Sequence, residues 1–494
     1  MSPRVYRINA LLSSLLHTLP VGTNLALFYL IWTLLSGRLL ASRGALTPAL
    51  DDAGLPPEAV RRSLAALAYG HFQIAPLVAA FDRTVATEGV WEPHSHDGYR
   101  PVACDLVGFF RPRLQGCPSR HYSPVAGRAL PAISLGVAAR VGSIMGQRVP
   151  IPLLLLRAEG ADPRESTLQR TLVRRVGALL AADEVSVVDA GFPVQELLDA
   201  KVPRFLVRGA KNFTARRNRL PEQKQRGRPP EYGELVRPLP RSYRGKEIAA
   251  TPPDFEEVWV EEGVLLRAQF FFDLVPSDQK PGGPSFGVVV LLDPRYREPL
   301  LVVANVVFPP AEAAAAARST PASTEEAAVC RLAGASVGEQ EGAASHPVVW
   351  RRPWEPSAVG GASGQGCYRL YKDRWPVEQL PQAGKQMLGA GRQFVFGEES
   401  RQRLPELALF AGAVLMYEAA SQPAIATGFW DRRPQGTIGR LRRALARTHF
   451  LDWVPLRDEI RKKASPTVHL PKGVLGHRRH KRDEIPKESL RLAA

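Results

Sequence analysis

The chain has 494 residues, with 65 Lys and Arg against 48 Asp and Glu, for a formal net charge of +17. Its 45% hydrophobic residues are enough to offset chain entropy, which excludes disorder throughout, and its length allows roughly two to four domains. The charge is uneven: residues 201–246 hold 14 Lys/Arg and 3 Asp/Glu, residues 441–494 hold 14 and 6, and the rest sums to −2. A near-neutral body with two basic segments points to a polyanion held at defined places.

From the N-terminus, Ile8 to Gly37 carries no formal charge. Its longest apolar run, Leu25 to Leu35, is too short for a bilayer, which needs about 20 apolar residues. Two helices joined by a turn at Pro20–Asn24 are expected instead, with no membrane span and no convincing signal-peptide cleavage pattern. Residues 1–92 read as an all-α N-terminal domain. Within it Ala45–Asp51, a turn at Asp52–Leu55 and Pro56–Tyr69 have the form of a helix-turn-helix, with Arg61 and Arg62 near the start of the second helix where recognition residues reach a groove. An ordinary helical hairpin has the same pattern.

From Tyr99 the texture becomes α/β. Arg100–Phe109, Ile133–Ala139 and Val149–Leu156 are β-rich. Ser166–Ala182 is an amphipathic helix with Leu168, Leu172, Val176 and Leu179 on one face, and Val185–Val188 and Phe205–Val207 are buried strands. After residue 210, Val258–Val264, Ala268–Leu274, Phe286–Leu292 and Leu300–Val307 read as a separate antiparallel block. Residues 311–346 form a low-complexity linker, and helices are expected at Tyr371–Leu388 and Leu404–Ala420. Of the four cysteines, Cys104, Cys117, Cys330 and Cys367, none forms C-x-x-C, so a disulfide framework is excluded and a reducing cytoplasm fits. Cys104, Cys117 and His121, with His94 or His96, have the donors of a zinc site; buried or incidental thiols are the alternative.

Two carboxylates stand out. Asp105 lies inside the apolar run Val102–Phe110, and Asp189 follows Val185–Val188. An acid in or just beyond a buried strand is costly unless paired or metal-bound, and strand ends are where sites collect. Farther on, Tyr371, Arg374, Glu378 and Lys385 are separated by two, three and six residues. One continuous helix would place them on one face, suited to metal and phosphates or else simply solvated.

That Y-x2-R-x3-E-x6-K pattern, with the blocks "ACDLVGFFRPRL", "VSVVDAGF" and "RFLVRGAKNF", resembles the bacterial insertion-sequence transposases with an Asp-Asp-Glu triad. The likeness covers roughly residues 95–310 and 365–450. It implies a ribonuclease-H-like α/β core interrupted by a mostly β insertion, and a cut-and-paste enzyme that cleaves and transfers DNA strands. By the resemblance Asp105, Asp189 and Glu378 are the catalytic residues. They would hold two Mg2+ ions (Mn2+ as a substitute) about 4 Å apart, one beside the nucleophile and one beside the leaving oxygen. Tyr371, Arg374 and Lys385 would grip DNA phosphates. Trp259 would stack on a flipped base, unless it is a core aromatic of its strand. Double-stranded DNA is the implied partner, a DNA-bound homodimer the implied assembly and the bacterial cytoplasm, at the nucleoid, the implied place. A metal-dependent nuclease without strand transfer and a transposase-derived DNA-binding protein are the alternatives.

The domains expected are 1–92, catalytic core first part 93–210, β insertion with a basic lead-in 211–310, linker 311–346, core second part 347–455 and basic tail 456–494. Two features depart from the family pattern: the linker, and Pro381, which removes a backbone donor past Glu378 and puts the orientation of Lys385 in question. Arg226-Gly227-Arg228-Pro229-Pro230 has the form of an AT-hook core, whose arginines enter a minor groove, or of a solvated phosphate-contacting loop. The tail, with Arg461–Lys463 and His477–Arg482, is suited to tracking flanking or target DNA. Removing residues 464–494 is therefore expected to weaken DNA binding and flatten its salt dependence; an unchanged slope of log K against log salt would reject the tail as a phosphate contact.

Overall fold

The computed structural model describes residues 3–20, 22–117, 119–158, 164–223, 228–306, 349–350, 361–448 and 460. Arg226, Cys330, the linker 311–346 and, apart from Ile460, the tail 456–494 lie outside the described residues.

Six helices come first: α1 (Pro3–Leu16), α2 (Thr23–Leu35), α3 (Arg38–Ala41), α4 (Leu46–Asp52), α5 (Pro57–Tyr69) and α6 (Ile74–Glu88). The uncharged stretch is two helices, α1 and α2, turning at Pro20–Asn24. Because α2 is apolar on all sides it must be buried on all sides, and every residue from Asn24 to Leu35 is. Thr33 returns its hydroxyl to the Tyr29 carbonyl at 2.8 Å, so it carries no unmet donor into the core. The α4–turn–α5 unit lies within one residue of the expected boundaries, with α4 at Leu46–Asp52 and α5 at Pro57–Tyr69. Arg61 is exposed, and half-buried Arg62 pairs with Glu58 at 2.8 Å.

Then follow β1 (Glu92–Pro93), β2 (Arg100–Phe110), β3 (Ser119–Ser123), β4 (Arg128–Ile144), β5 (Gln147–Arg157), α7 (Glu165–Leu179), β6 (Glu184–Val188), α8 (Val194–Asp199) and β7 (Phe205–Arg208). β5, β4 and β2 form an antiparallel meander; β6 runs parallel to β2, and β7 parallel to β6. The strand order is β5–β4–β2–β6–β7. α7 buries Leu168, Leu172 and Val176 as its periodicity predicts, while Leu179, at its last residue, is 46% exposed.

The later β segments are β8 (Ala215–Arg217), β9 (Leu235–Val236), β10 (Arg241–Tyr243), β11 (Lys246–Ile248), β12 (Phe255–Glu261), β13 (Val264–Pro276), β14 (Phe286–Leu292), β15 (Leu300–Ala304) and β16 (Val349–Trp350). They are not a separate block. β15 pairs antiparallel with β7 through Val302↔Arg208 and Ala304↔Leu206, so β15, β14, β13 and β12 extend the same sheet. The physical reason is the edge: β7 would otherwise leave a row of unpaired N–H and C=O groups. The short β8–β11 pieces carry too little periodicity to be read from sequence.

The chain ends its described part with α9 (Gly364–Lys372), α10 (Pro376–Gln382), a π-helical turn at Ala383–Met387, α11 (Glu398–Ser421) and α12 (Ile438–Ala446). α11 is the one described helix long and apolar enough to cross a membrane, and it is buried inside the fold at every residue from Leu404 to Ala420. It joins the N-terminal helices to the sheet in one continuous core: Phe81 of α6 meets Phe410 and Tyr417 edge-on, with centroids 6.0 and 5.6 Å apart. Residues 1–92 therefore share their core with the second half of the chain instead of closing one of their own.

A charged cluster pins that junction. Arg7 donates from Nε to Glu418 at 3.1 Å and from Nη2 to Glu88 at 2.6 Å, and the Tyr417 hydroxyl donates to Glu88 at 2.5 Å. Glu418 is fully buried, and burial, opposed by Arg7, raises its carboxyl above the usual range. Removing Arg7 leaves a buried acid without its cation. Arg7→Ala is expected to lower stability by about 2 kcal/mol, with Glu418→Gln restoring part of it in a double-mutant cycle read by chemical denaturation.

Candidate functional site

The register of β2 and β6 places the two strand acids. Arg100 pairs with Glu184 and Ala103 with Val187, so the same offset carried two residues onward sets Asp189 beside Asp105. Both face the same side. Ala103 and Val107, flanking Asp105 in the alternation, share a core with Val377 and Leu380 of α10. Val185 and Val187 share one with Tyr371 of α9. Val102 and Cys104 point the other way, onto α7.

The third acid arrives by a different route from the one its spacing suggests. Tyr371–Leu388 is not one helix: α9 stops at Lys372, a turn covers Asp373–Trp375, and α10 begins at Pro376. Proline at the first helical position lacks an N–H and so starts a helix more readily than it continues one. The turn is held by i→i+3 bonds, Arg374 N–H to Tyr371 at 3.0 Å and Glu378 N–H to Trp375 at 3.0 Å. Tyr371 and Glu378 thus sit on separate helices, and what brings them together is the α9–α10 corner. Pro381 acts as its chemistry requires: the α-helical ladder gives way to the π turn at Ala383–Met387, which carries Lys385.

The side chains meet over the sheet. Tyr371 donates its hydroxyl to Asp189 Oδ1 at 3.1 Å, and Arg374 Nη2 lies 2.8 Å from Glu378 Oε1. Arg374 is 5% exposed, and its guanidinium carbon lies over the rings of Tyr371 and Trp375, 5.9 and 5.1 Å from their centroids. Its Nε is buried with no hydrogen-bond partner among the described residues. The Lys385 ammonium lies 5.2 Å from the centre of the Phe109 ring. Asp105 is half-buried and accepts the Leu106 N–H at 2.8 Å.

The electrostatics tie these groups into one crevice. Burial pushes the Asp105 carboxyl up to about 6; the Leu106 N–H and Arg374 pull it down, and the charges of Glu378 and Asp189 push it up again. Burial and the Asp189 charge push the Tyr371 phenol up to about 12. Burial lowers the Lys385 ammonium while Asp105 opposes the fall. For Arg374, burial is outweighed by Asp189, Tyr371 and Glu378, which fix it as a cation. A half-buried carboxylate whose neighbours are two further acids is chemically suited to a hard dication: the donors are all oxygen, and the excess negative charge is what the ion would neutralise.

Other expected residues fall elsewhere. Trp259 is 7% exposed, packs edge-on against Tyr368 and donates to Glu261 at 3.3 Å. It is the core aromatic of β12, and its ring presents no open face for a base. The open indole is Trp375, 59% exposed beside Glu378, which the spacing pattern passes over because its wildcard positions hide it. Exposed Arg208, at the end of β7, acts electrostatically on Tyr371 and is a second residue that strand patterning alone does not single out. Arg228 is exposed and pairs with Glu231. The zinc grouping does not assemble. Cys104 faces α7, 3.6 Å from the Ser186 hydroxyl, with its thiol pushed up to about 12 by burial. His121 lies 2.8 Å from Glu165, and His94 and His96 turn to Asp373.

The raised Asp105 carboxyl has a stability consequence. The folded chain holds this proton more tightly than the unfolded one, so its contribution favours the fold below about pH 4 and is lost as pH rises through about 6. Above that, the ionised group costs on the order of 2 kcal/mol. Asp105→Asn is expected to raise the melting temperature at pH 7.5 in EDTA, with the gain vanishing below about pH 4; no gain at pH 7.5 would mean the charge is already compensated. Comparison of the chain with protein-family models and with curated proteins finds no match to either.

Proposed function

We propose that the chain is a DNA transposase of the Asp-Asp-Glu kind, which binds the ends of a mobile element and cleaves and transfers DNA strands. The observation that carries this reading is the convergence of Asp105, Asp189 and Glu378, from three distant stretches of sequence, on one crevice rimmed by Tyr371, Arg374 and Lys385. The strand order β5–β4–β2–β6–β7, an antiparallel meander followed by two parallel strands, supports a ribonuclease-H-like core. The antiparallel strands inserted between β7 and α9 support the subgroup with a β insertion.

In this reading Asp105, Asp189 and Glu378 hold Mg2+, with Mn2+ as a substitute. When bound, the ions supply Lewis acidity to the scissile phosphodiester and make water or a 3′-hydroxyl a stronger nucleophile. The chain does the positioning. Tyr371 fixes the Asp189 carboxylate by its hydrogen bond. Arg374, over the rings of Tyr371 and Trp375, keeps Glu378 near the other acids and offers a permanent cation to a phosphate. Lys385 and Arg208 add positive charge beside the cut, which favours the dianionic character of the transition state. Trp375 takes the stacking role first considered for Trp259, because only its indole is open at the crevice. Arg61 and Arg62 on α5 serve DNA recognition, two copies of the chain bring two ends together, and the reaction takes place at the bacterial nucleoid in the cytoplasm.

The test uses labelled duplexes carrying the terminal sequences that flank the encoding locus, with Mg2+. Nicking followed by joining supports the proposal, cutting without joining makes the chain a nuclease, and a mobility shift without cutting makes it a DNA-binding protein of transposase descent. Asp105→Ala, Asp189→Ala and Glu378→Ala should each cut at least about 1000-fold more slowly while end binding changes by less than about threefold; full cleavage by any one rejects the triad. Trp375→Ala should slow cleavage about tenfold or more at unchanged melting temperature, whereas Trp259→Ala should chiefly lower the melting temperature, by loss of core volume.

A further inference from the structure

A second group of metal-ligand atoms includes none of the three acids. His94 and His96 flank a short segment between β1 and β2, and Asp373 sits in the α9–α10 corner. His94 Nδ1 and His96 Nε2 lie 2.8 and 2.7 Å from the same oxygen, Asp373 Oδ2, and the three atoms are all within 4.8 Å of one another. Among the described residues this is the one set of three such ligands that converges so closely. Asp373 is 2% exposed while the two imidazoles keep 20% and 17% of their side chains accessible. The carboxylate is therefore buried and fixed, and the side facing solvent stays open to an incoming ion. Arg148 Nε lies 3.5 Å from the other oxygen, Oδ1, which orients the carboxylate from behind and leaves Oδ2 as a single-oxygen donor.

We infer that His94, His96 and Asp373 form a binding site for a borderline divalent transition metal, Zn2+ above all, with a fourth position left to water. The ligand chemistry separates it from the acidic crevice. Two imidazoles and one carboxylate suit Zn2+, whereas an all-carboxylate set suits Mg2+. An ion held by tetrahedral bonds of about 2.0–2.2 Å keeps its ligand atoms about 3.4 Å apart, so the 2.7 and 2.8 Å contacts must lengthen and the two rings part around the ion. The exposed imidazoles are the ligands able to do so. The site would tie the segment before β2 to the turn that presents Arg374, next in sequence to Asp373.

The experiment uses the full chain carrying Asp105→Asn, Asp189→Asn and Glu378→Gln, so that the acidic crevice contributes no metal binding and the outcome is independent of the function proposed above. Chelator-stripped protein is titrated with Zn2+ against a chromophoric competitor, and separately with Co2+ while visible absorption is recorded. One equivalent of Zn2+ per chain is expected, with Co2+ bands of a nitrogen–oxygen site, no thiolate charge-transfer band, and a rise in melting temperature on adding Zn2+. His94→Ala and His96→Ala should each weaken Zn2+ binding at least about 100-fold and abolish the Zn2+-dependent rise in melting temperature. The milder His96→Gln serves where alanine lowers the yield of folded protein. Absence of stoichiometric Zn2+ binding, binding unchanged in the His variants, or a melting temperature indifferent to Zn2+ would each overturn the site and leave the two histidines as hydrogen-bond partners of Asp373.

Discussion

Two half-buried carboxylates, one on β2 and one just past the end of β6, turned to the same side of one sheet, repel each other where water screens them only in part. The β2–β6 register makes this unavoidable once Asp105 and Asp189 occupy their positions. The residues around them answer that repulsion locally. The Leu106 N–H and the Tyr371 hydroxyl each take one carboxylate, and Arg374 supplies a cation that cannot be deprotonated. These compensations are incomplete, which is why Asp105 still holds its proton to about pH 6. A site that has relieved its own charge has no affinity left for a dication; this one keeps some strain in reserve.

The corner between α9 and α10 turns that electrostatic problem into a geometric one. It lets one short stretch of chain deliver a phenol from one helix, a guanidinium from the turn and a carboxylate from the next helix to a single crevice. The Arg374 guanidinium lies over the rings of Tyr371 and Trp375, and in the sheet beneath β15 closes the edge of β7. Part of the basic charge that first suggests a polyanion partner is also structural. Arg204 caps the Glu184 and Ala181 carbonyls, Arg216 binds the Ser277 and Gly233 carbonyls, and Arg217 grips Asp254 with two nitrogens. Among the described residues, some of the cations of the first basic segment are therefore already engaged within the fold.

What was legible in the sequence follows from which physical signals are local. Strand acids betray themselves because a charged residue inside an apolar run is costly, so Asp105 and Asp189 stood out, and the uncharged α1–α2 pair was readable from its apolar length and its Pro20 break. The continuity of the sheet through β15 was not readable, since edge pairing is a property of two segments nearly a hundred residues apart. The single-helix reading of Tyr371–Leu388 failed because 3.6-residue spacing describes a face only if the helix is unbroken, and Pro376 breaks it. Trp259 and Trp375 show the same limit for aromatics: composition marks both, and only packing tells a core ring from an open one. His94, His96 and Asp373 lie too far apart in sequence for their spacing to show a site.

The burial of α2 beneath α11 has a consequence for how the chain comes to be folded. The apolar surface of Thr23–Leu35 leaves the ribosome early, while much of its cover, Glu398–Ser421, is made more than 360 residues later. At elongation rates of about 5–20 residues per second that interval is roughly 20–70 s. Throughout it the face of α2 that α11 covers stays open, with α1 and α5 the neighbours already made, so a chain cut short of α11 is expected to expose that apolar face even though the acids of the sheet are already present.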